Sequence, residues 1–482
     1  MPFYLFYLFL LAAGPDANQQ GATQQGATQQ AMLDRISAAN MKGNLSFLSS
    51  DALEGRDTPS KGLDIAAEFI ASRFRKAGLE PVAGESYFQK AAYSLVTSDP
   101  TEFDLTLENG TDSLHVTKDF DLQSMSALDL KAIAVVKVTG EQPGDLTGKA
   151  ALLDVPGRDK FQEFQKTLRA VQNSHPAVIL MLPHGSARRA LSTRLVADAG
   201  PRAEATPTIS LRDSDVEKFL NANPTVTLSV HARAAIRKPV ELRNVAGILR
   251  GSDPLLRDTY ILVTAHYDHI GVLPPGEGDR VYNGANDDGS GTVSVIEIAE
   301  ALAQMPQHPK RSIVFMTFFG EEKGLFGSRY YAAHPFFPLK QHIAQINLEQ
   351  LGRTDDNDGP QVGSATFTGF DFSDVPATFE QAGKATGVRV YKNEKSSDVF
   401  FARSDNQSLA DAGVPAHTLA VAFEFPDYHK VGDEWQKIDY DNMAKVDRMV
   451  ALGLLSIANS IAVPHWNADN PKTEQYRKAA AQ

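Results

Sequence analysis

The sequence of 482 residues contains no cysteine. This absence excludes disulfide bonds, thiolate metal ligands and a cysteine nucleophile. Any metal site in this chain must therefore use histidine nitrogen and carboxylate oxygen.

Positive charge is in short supply as well. The chain has 47 basic against 59 acidic residues, a formal net charge of -12, and no block of lysine or arginine. Nucleic acids and anionic membranes bind cationic surfaces, so the composition argues against both as partners. With 42% hydrophobic and 22% charged residues, the chain has the composition of a globular protein that can bury a sizeable core.

Long apolar runs are also lacking. The run from Phe3 to Ala13 is shorter than the roughly 20 residues of a membrane-spanning helix, so we expect no stable membrane insertion. Its length is typical of a signal-peptide core, and we predict a signal peptide over residues 1–17 and an exported protein, periplasmic or secreted. The tandem Gly-Ala-Thr-Gln-Gln repeat that follows has too little apolar content to offset ordering entropy, which predicts a low-complexity tether over residues 18–31.

The rest of the chain is long enough for two ordered domains. Apolar residues at helical spacing predict amphipathic helices over residues 32–47 and 64–77. Short β-rich runs then alternate with glycine and proline turns, which indicates an inserted β-rich domain. The predicted organisation is a main domain from 32–114 and 239–465, an insert from 115–238, and a C-terminal tail from 466–482.

From Asn244 onward, strands and helices alternate, which is typical of a mainly parallel α/β sheet covered by helices. The predicted strands are Tyr260–Ala265, Ser312–Phe318, Ile343–Leu348, Arg389–Tyr391 and Ala416–Ala422. The predicted helices are Gly291–Gln304, Leu325–Ala333, Val375–Thr386 and Asn442–Ile461. Folds of this class place their sites at the carboxyl edge of the sheet.

Side chains that can bind metal are concentrated at that predicted edge. They lie in four segments and one later loop: Thr264–Gly271, Gly284–Gly291, Phe319–Glu322, Ile346–Gly352 and Tyr428–His429. Asp268 can accept the second N–H of His266 and so fix the orientation of that imidazole. Asp287 lies in a glycine-rich turn, where a carboxylate could bridge two cations; alternatively, it or Asp288 caps the following helix.

Two adjacent glutamates, Glu321 and Glu322, can divide the work of a hydrolytic site. One can bind metal while the other accepts a proton from the attacking water. Glu349 follows an apolar strand with no lysine nearby, and a buried charge there needs a partner. Together with His429, these segments supply two imidazoles, three carboxylates and a spare glutamate. That set is sufficient for two metal ions a few ångströms apart that share one carboxylate; it suits zinc and, less tightly, manganese or cobalt.

These motifs resemble those of the M28 family of metallopeptidases. The segments Ala-His-Tyr-Asp-His-Ile-Gly, Gly-Ala-Asn-Asp-Asp-Gly-Ser-Gly and Gly-Glu-Glu-x-Gly-Leu-x-Gly-Ser occur in the order typical of the family. Leu48–Arg56 and Tyr87–Gln89 also look like its N-terminal region, and the resemblance covers about Met32 to Val463. It implies a three-layer α/β/α (phosphorylase/hydrolase-like) zinc-peptidase fold, with a mainly β protease-associated insert at 115–238 that is not itself catalytic.

The resemblance also implies a role for each residue of the site. It makes Asp287 the bridging ligand, Glu321 the general base and Asp268 the residue that supports His266. The metal ligands that it implies for two Zn²⁺ ions are His266, Asp287, Glu322, Glu349 and His429. Members of the family commonly have aspartate at the position of Glu349, and many have Asp-His where this chain has Ser404-Asp405-Asn406.

The function implied is that of a zinc-dependent aminopeptidase that acts on peptides or proteins. Two alternatives share the same scaffold: a carboxypeptidase, or an acyltransferase like glutaminyl cyclase. A cationic pocket for a terminal carboxylate would favour the carboxypeptidase, and Arg353 and Arg403 are the candidates for it. An alternative from a different class is an inactive, receptor-like binding protein, against which the retention of all six key side chains argues.

Overall fold

The computed structural model describes residues 26–99, 101–124, 126–157, 160–183, 193–198, 206–355 and 361–481. The predicted signal peptide and the first part of the predicted tether lie outside these residues. The chain forms two compact units. Unit 1 consists of the residues up to Ala91 and those from Leu242 onward, and unit 2 runs from Ala92 to Glu241.

The strands, in chain order, are β1 Glu80–Pro81, β2 Phe88–Thr97, β3 Asp104–Glu108, β4 Ser113–His115, β5 Phe120–Gln123, β6 Leu128–Lys137, β7 Ala150–Val155, β8 Val178–Pro183, β9 Arg194–Ala197, β10 Thr208–Leu211, β11 Thr227–Ala232, β12 Ile236–Leu249, β13 Tyr260–His266, β14 Ser312–Phe318, β15 His342–Leu348, β16 Ser364–Phe367, β17 Arg389–Tyr391 and β18 Ala416–Ala420. The helices are α1 Ala38–Leu48, α2 Lys61–Ala77, α3 Phe161–Asn173, α4 Ser214–Ala222, α5 Gly291–Ala303, α6 Phe326–Ala333, α7 Val375–Thr386, α8 Asn406–Asp411, α9 Tyr440–Asn459 and α10 Glu474–Ala480.

Unit 1 is built on a sheet in which β17, β16, β18, β15, β13, β14 and β12 lie side by side in that order. The central strand β13 is parallel to both β14 and β15, and β15 is parallel to β18. Every residue of β13, β14 and β15 is buried, as expected for parallel strands covered on both faces. Helix α5 packs against these three strands, and α9 packs against α1, α5 and α7. The predicted α/β class is confirmed.

The helices begin where local side chains can cap them. Helix α2 begins at Lys61, earlier than predicted, because the side chain of Ser60 accepts a hydrogen bond from the N–H of Leu63. Residues 26–33 are helical, although the second half of the predicted tether lies there. Met32 and Ile36 are buried in the core, and this burial supplies the apolar contact that the glutamine-rich repeat lacks.

Unit 2 contains an eight-stranded sheet in the order β4, β3, β11, β6, β7, β8, β10 and β5. It is β-rich and carries α3 and α4. Its apolar core includes Leu107, Val178 and Leu228. The unit begins at Ala92 rather than near residue 115, because β3 pairs with β11 and with β4. Strand β3 thus belongs to the insert, although the sequence analysis assigned residues up to 114 to the main domain.

The C-terminal segment from residue 466, which we predicted to be a tail, is part of unit 1. Trp466 is only 5% exposed and Tyr476 on α10 only 4%, and their rings stack 5.0 Å apart. The indole N–H of Trp466 donates to the carbonyl oxygen of Gly413. In the described part of the chain, no helix is both long and apolar enough to cross a membrane.

Candidate metal centre

The site forms where parallel strands end side by side. Strands β15, β13 and β14 are neighbours in the sheet and run in the same direction, so their carboxyl ends meet at one edge. His266 is the last residue of β13, Glu349 directly follows β15, and Glu321 and Glu322 lie in the turn after β14. The loop after β18 adds His429.

Asp287 lies between two imidazoles. Its Oδ1 is 3.4 Å from Nε2 of His266, and its Oδ2 is 3.1 Å from Nε2 of His429. Oε1 of Glu322 lies 3.2 Å from the same nitrogen of His429. Two ligands of a tetrahedral zinc ion with bonds of about 2.0–2.1 Å lie about 3.3 Å apart. The spacing of these donor atoms is therefore compatible with zinc ligation.

The neighbouring Asp288 has a different use. Its carboxylate accepts the backbone N–H of His266 at 3.2 Å and that of Gly291 at 3.0 Å. His266, Asp288 and Glu349 are close enough together to hold an ion among them, but the oxygens of Asp288 are committed to backbone N–H groups. The carboxylate of Asp287 instead faces imidazole nitrogens, which makes it the better bridging ligand.

The backbone of the turn that carries Asp287 is hydrogen-bonded to a buried acidic residue. The carboxylate of Asp433 accepts the N–H of Asn286 at 2.9 Å and that of Asp287 at 3.0 Å. Burial raises the pKa of Asp433 to about 6, although these backbone hydrogen bonds lower it. The side chain of Asp287 is therefore aimed by contacts to its own backbone. The sequence analysis did not identify Asp433 as part of this arrangement.

Asp268 connects His266 with Glu321. Nδ1 of His266 lies 3.2 Å from the carbonyl oxygen of Asp268 and 3.6 Å from its Oδ1. That same Oδ1 accepts the backbone N–H of Glu321, and Oδ2 accepts the hydroxyl of Thr58. Asp268 thus contacts His266 mainly through its backbone carbonyl, and its side chain holds the loop that carries Glu321.

The two carboxyls nearest the cavity are in different electrostatic states. Burial raises the pKa of Glu321 well above its ordinary value, and the Glu349 carboxylate raises it further, although His266 lowers it. Burial also raises the pKa of Glu322, but the imidazoles of His269 and His429 outweigh this effect and hold it at about 2. Glu321 is therefore the carboxyl that readily holds a proton, whereas Glu322 stays ionised.

Glu349 is anchored by two polar neighbours. Its Oε1 accepts a hydrogen bond from Nδ2 of Asn347 at 3.0 Å and another from the hydroxyl of Ser404. Burial raises its pKa, while His266 and then the Ser404 hydrogen bond lower it. The longer side chain of glutamate at this position is thus held in place by a serine in the Ser404-Asp405-Asn406 segment. The sequence analysis gave that segment no role.

A buried arginine ties the metal-binding loops to the N-terminal region. The guanidinium of Arg56 donates to the carbonyl oxygens of Tyr267 at 2.9 Å, Asn283 at 2.8 Å and Gly284 at 2.9 Å, and to that of Leu48. It is about 1% exposed. The segment that ends at Arg56 was recognisable in the sequence, but its contact with two separate loops depends on the tertiary structure.

A cavity of about 380 Å³ opens beside these groups. Its lining includes the predicted site residues His266, Asp287, Glu321, Glu322 and Glu349. Three aromatic residues, Phe400, Phe423 and Tyr428, also line it. The rings of Phe400 and Phe423 stack 5.2 Å apart.

The two candidate arginines differ in position. Arg403 lines the cavity and lies over the ring of Phe400, with its Cζ 4.6 Å from the ring centre. Arg353 is ion-paired with Asp427 at 3.1 Å and lies over Phe425, and it is not among the residues that line the cavity. Of the two, only Arg403 is placed to meet a bound molecule.

The part of the chain that carries this site is similar to known proteins. Residues 244–453 match the model of peptidase family M28. The chain is 25% identical over 375 residues to a probable leucine aminopeptidase 2 of Aspergillus oryzae, a match that covers 70% of this chain and 68% of the relative. It is 26% identical over 296 residues to a probable zinc metalloprotease of Pyrenophora tritici-repentis, covering 52% of this chain and 60% of that protein.

Solved structures show the same fold. An aminopeptidase from Aneurinibacillus sp. strain AM-1 matches with a TM-score of 0.58 at 21% identity, covering 91% of this chain and all of that one. A zinc aminopeptidase from Bacillus subtilis matches with a TM-score of 0.52 at 19% identity, covering 88% and 96% of the two chains. The likeness to both extends over nearly the whole of each chain.

Proposed function

The chain belongs to peptidase family M28, and we propose that it is a zinc-dependent aminopeptidase that removes N-terminal residues from peptides or proteins. The observation that supports this most directly is the position of Asp287, whose two carboxylate oxygens face the imidazoles of His266 and His429 at 3.4 and 3.1 Å. The donor set of nitrogen and oxygen atoms suits zinc. One ion would be held by His266, Asp287 and Glu349, and the other by Asp287, Glu322 and His429.

Two zinc ions bound there would polarise the scissile carbonyl and make a water molecule a stronger acid. Glu321 would accept the proton of that water and return it to the leaving amine. Its backbone N–H is held by Asp268 at 3.1 Å, so the position of the base is coupled to the residue that orients His266. The raised pKa of the Glu321 carboxyl favours the protonated form that this group takes after it has accepted the proton of the water and before it returns that proton to the leaving amine.

The selection of a free N-terminus would come from the acidic side of the cavity. An α-ammonium group would be attracted to the carboxylates of Glu349 and its neighbours, whereas a blocked N-terminus would lose that attraction. The aromatic rings of Phe400, Phe423 and Tyr428, which line the cavity, would accept the first side chain of the substrate. Arg403 in the cavity wall favours the competing carboxypeptidase proposal, because it could bind a terminal carboxylate.

Two further proposals concern the rest of the chain. Unit 2, with its mixed β-rich sheet, would be a protease-associated domain with no catalytic residue. The apolar run from Phe3 to Ala13 would direct export to the periplasm or out of the cell.

A panel of peptides tests the proposed activity. It contains aminoacyl anilides, peptides with a blocked N-terminus and peptides with an amidated C-terminus, each assayed with and without a chelator. We expect cleavage of every substrate with a free N-terminus, complete loss of cleavage with chelator, and recovery when zinc is added back. Cleavage that requires a free C-terminus and ignores N-terminal blocking would instead establish a carboxypeptidase, and binding of peptides without turnover would establish a receptor-like protein.

A further inference from the structure

His269 is a fully buried histidine in the metal-binding region, three residues after His266, and neither sequence motif nor family resemblance gave it a role. Its backbone N–H donates to the carbonyl oxygen of Arg56 at 3.2 Å. Its ring rests against Gly284, where an added Cβ would lie 2.5 Å from Cγ of His269. The position of this imidazole is therefore set on two sides, by the backbone of the N-terminal segment and by a glycine whose missing side chain makes room for the ring.

The third side of the imidazole faces the site. Nδ1 of His269 lies 2.9 Å from Oε1 of Glu322, and the ring meets that of His429 edge-on, with centres 5.7 Å apart and planes at 76°. Nε2 of His269 has no hydrogen-bond partner among the described residues, whereas its Nδ1 faces the carboxylate of Glu322. A buried polar group left without a partner is costly, so the imidazole is placed to donate from Nδ1 to Oε1 of Glu322.

We propose that His269 is a positioning residue that holds the carboxylate of Glu322 toward the second zinc ion, the one shared by Asp287, Glu322 and His429. The proposal rests on the proposed function, since it assumes that the chain binds two ions. Oε1 of Glu322 lies within 3.2 Å of His429 as well as within 2.9 Å of His269. One lone pair can thus face the ion while the other accepts the N–H of His269.

Loss of the contact between His269 and Glu322 should affect only one of the two zinc ions. Partners of metal-ligating carboxylates typically change metal affinity by about 10- to 100-fold when they are removed. The ion held by His266, Asp287 and Glu349 is supported by other contacts, those of Asp268 to His266 and of Ser404 to Glu349. Removal of the His269 imidazole should therefore weaken the second ion and leave the first little changed.

Two substitutions in the full chain separate the contributions of ring shape and donor. His269→Phe keeps a ring in the space beside Gly284 but removes both nitrogens, and His269→Asn places an amide N–H near the position of Nδ1. Zinc binding to the metal-depleted proteins is measured by calorimetry, and cobalt binding by absorption spectroscopy. We expect His269→Phe to lower the affinity for the second zinc ion by about 10- to 100-fold. His269→Asn should retain most of that affinity.

His417→Phe is the matched control. His417 is also fully buried, but its two ring nitrogens contact Ser373 and the carbonyl oxygen of Thr368. The His417→Phe substitution should therefore lower the melting temperature without a selective loss of one zinc ion. Unchanged zinc binding in His269→Phe would overturn the assignment. Equal loss in the phenylalanine and asparagine variants would also overturn it, because it would make His269 a direct ligand together with Asp287 and Glu322. A wild-type chain that binds fewer than two ions would overturn the assignment through its two-ion premise, whereas the aminopeptidase activity itself is decided by the peptide panel.

Discussion

Replacement of Arg56 by methionine tests whether this buried arginine organises the site. The side chain of methionine fills a similar volume but offers no donor. Its introduction leaves four backbone carbonyl oxygens, those of Leu48, Tyr267, Asn283 and Gly284, without their guanidinium partner. Two of these carbonyls precede Asp287 in its loop, and another lies between His266 and Asp268.

Two effects of opposite sign determine the magnitude. Hydrogen bonds from a charged donor contribute about 1.5–3 kcal/mol each, so the loss of four costs roughly 6–12 kcal/mol. Burial lowers the pKa of Arg56 from 12.5 to about 10, and at about 1.36 kcal/mol per unit the removal of that buried charge returns roughly 3 kcal/mol. The lost hydrogen bonds outweigh this gain, and we expect a net destabilisation of about 3–9 kcal/mol.

The assay is urea unfolding of the metal-depleted protein, combined with zinc analysis after dialysis against a zinc buffer. Arg56→Met should unfold at much lower urea and retain less than two zinc ions per chain. Arg56→Lys is the control, because lysine keeps the charge but can reach fewer carbonyls, and it should fall between the wild type and the methionine variant. If Arg56→Met were as stable as the wild type, the four hydrogen bonds would make no net contribution to the free energy of unfolding. The role of Arg56 in organising the site would then be refuted.

Three other predictions follow from particular contacts. Glu321→Gln should bind zinc normally and lower kcat by about 100- to 10,000-fold, and near-normal turnover in steady-state peptidase assays would contradict its role as the base. Burial raises the pKa of Glu297 from 4.5 to about 7, so the stability associated with its protonated form is complete below about pH 4.5 and is lost as the pH rises through 7. Glu297→Gln should therefore raise the free energy of unfolding by about 3 kcal/mol at pH 8 and leave it nearly unchanged at pH 4.5. Urea titration at the two pH values measures this difference. Equal effects at both pH values would contradict the raised pKa of Glu297. Trp466→Ala should cost about 3–5 kcal/mol in stability, and an unchanged melting curve would show that the C-terminal segment does not contribute to the core of unit 1.

The strands that carry the site could be predicted closely from the sequence. Strand β14 has the predicted bounds, and β13 and β15 differ from the prediction by one residue each. Their apolar runs are continuous because both faces are covered, and this pattern is local. The residues that follow such strands lie at the carboxyl edge, so His266, Glu321, Glu322 and Glu349 could be expected to converge there.

Other features have no local signal. The boundary of unit 2 depends on the pairing of β3 with β11, which are far apart in sequence. The C-terminal segment resembles a tail until Trp466 and Tyr476 meet their core partners. The unit to which each of these segments belongs is decided by its contacts with residues distant in the sequence rather than by the pattern of the segment itself.

The amino-acid sequence by itself determined the kind of chemistry available, since without cysteine the ligands had to be imidazoles and carboxylates, and the periodic apolar runs placed them at one sheet edge. Apart from the family resemblance, only the tertiary structure distinguished Asp287 from Asp288, because the two adjacent carboxylates differ in what they face: imidazoles in one case and backbone N–H groups in the other. The same holds for His269 and Arg56. Their roles arise from contacts of a few ångströms between loops that are distant in the chain, and no spacing along the sequence encodes those contacts.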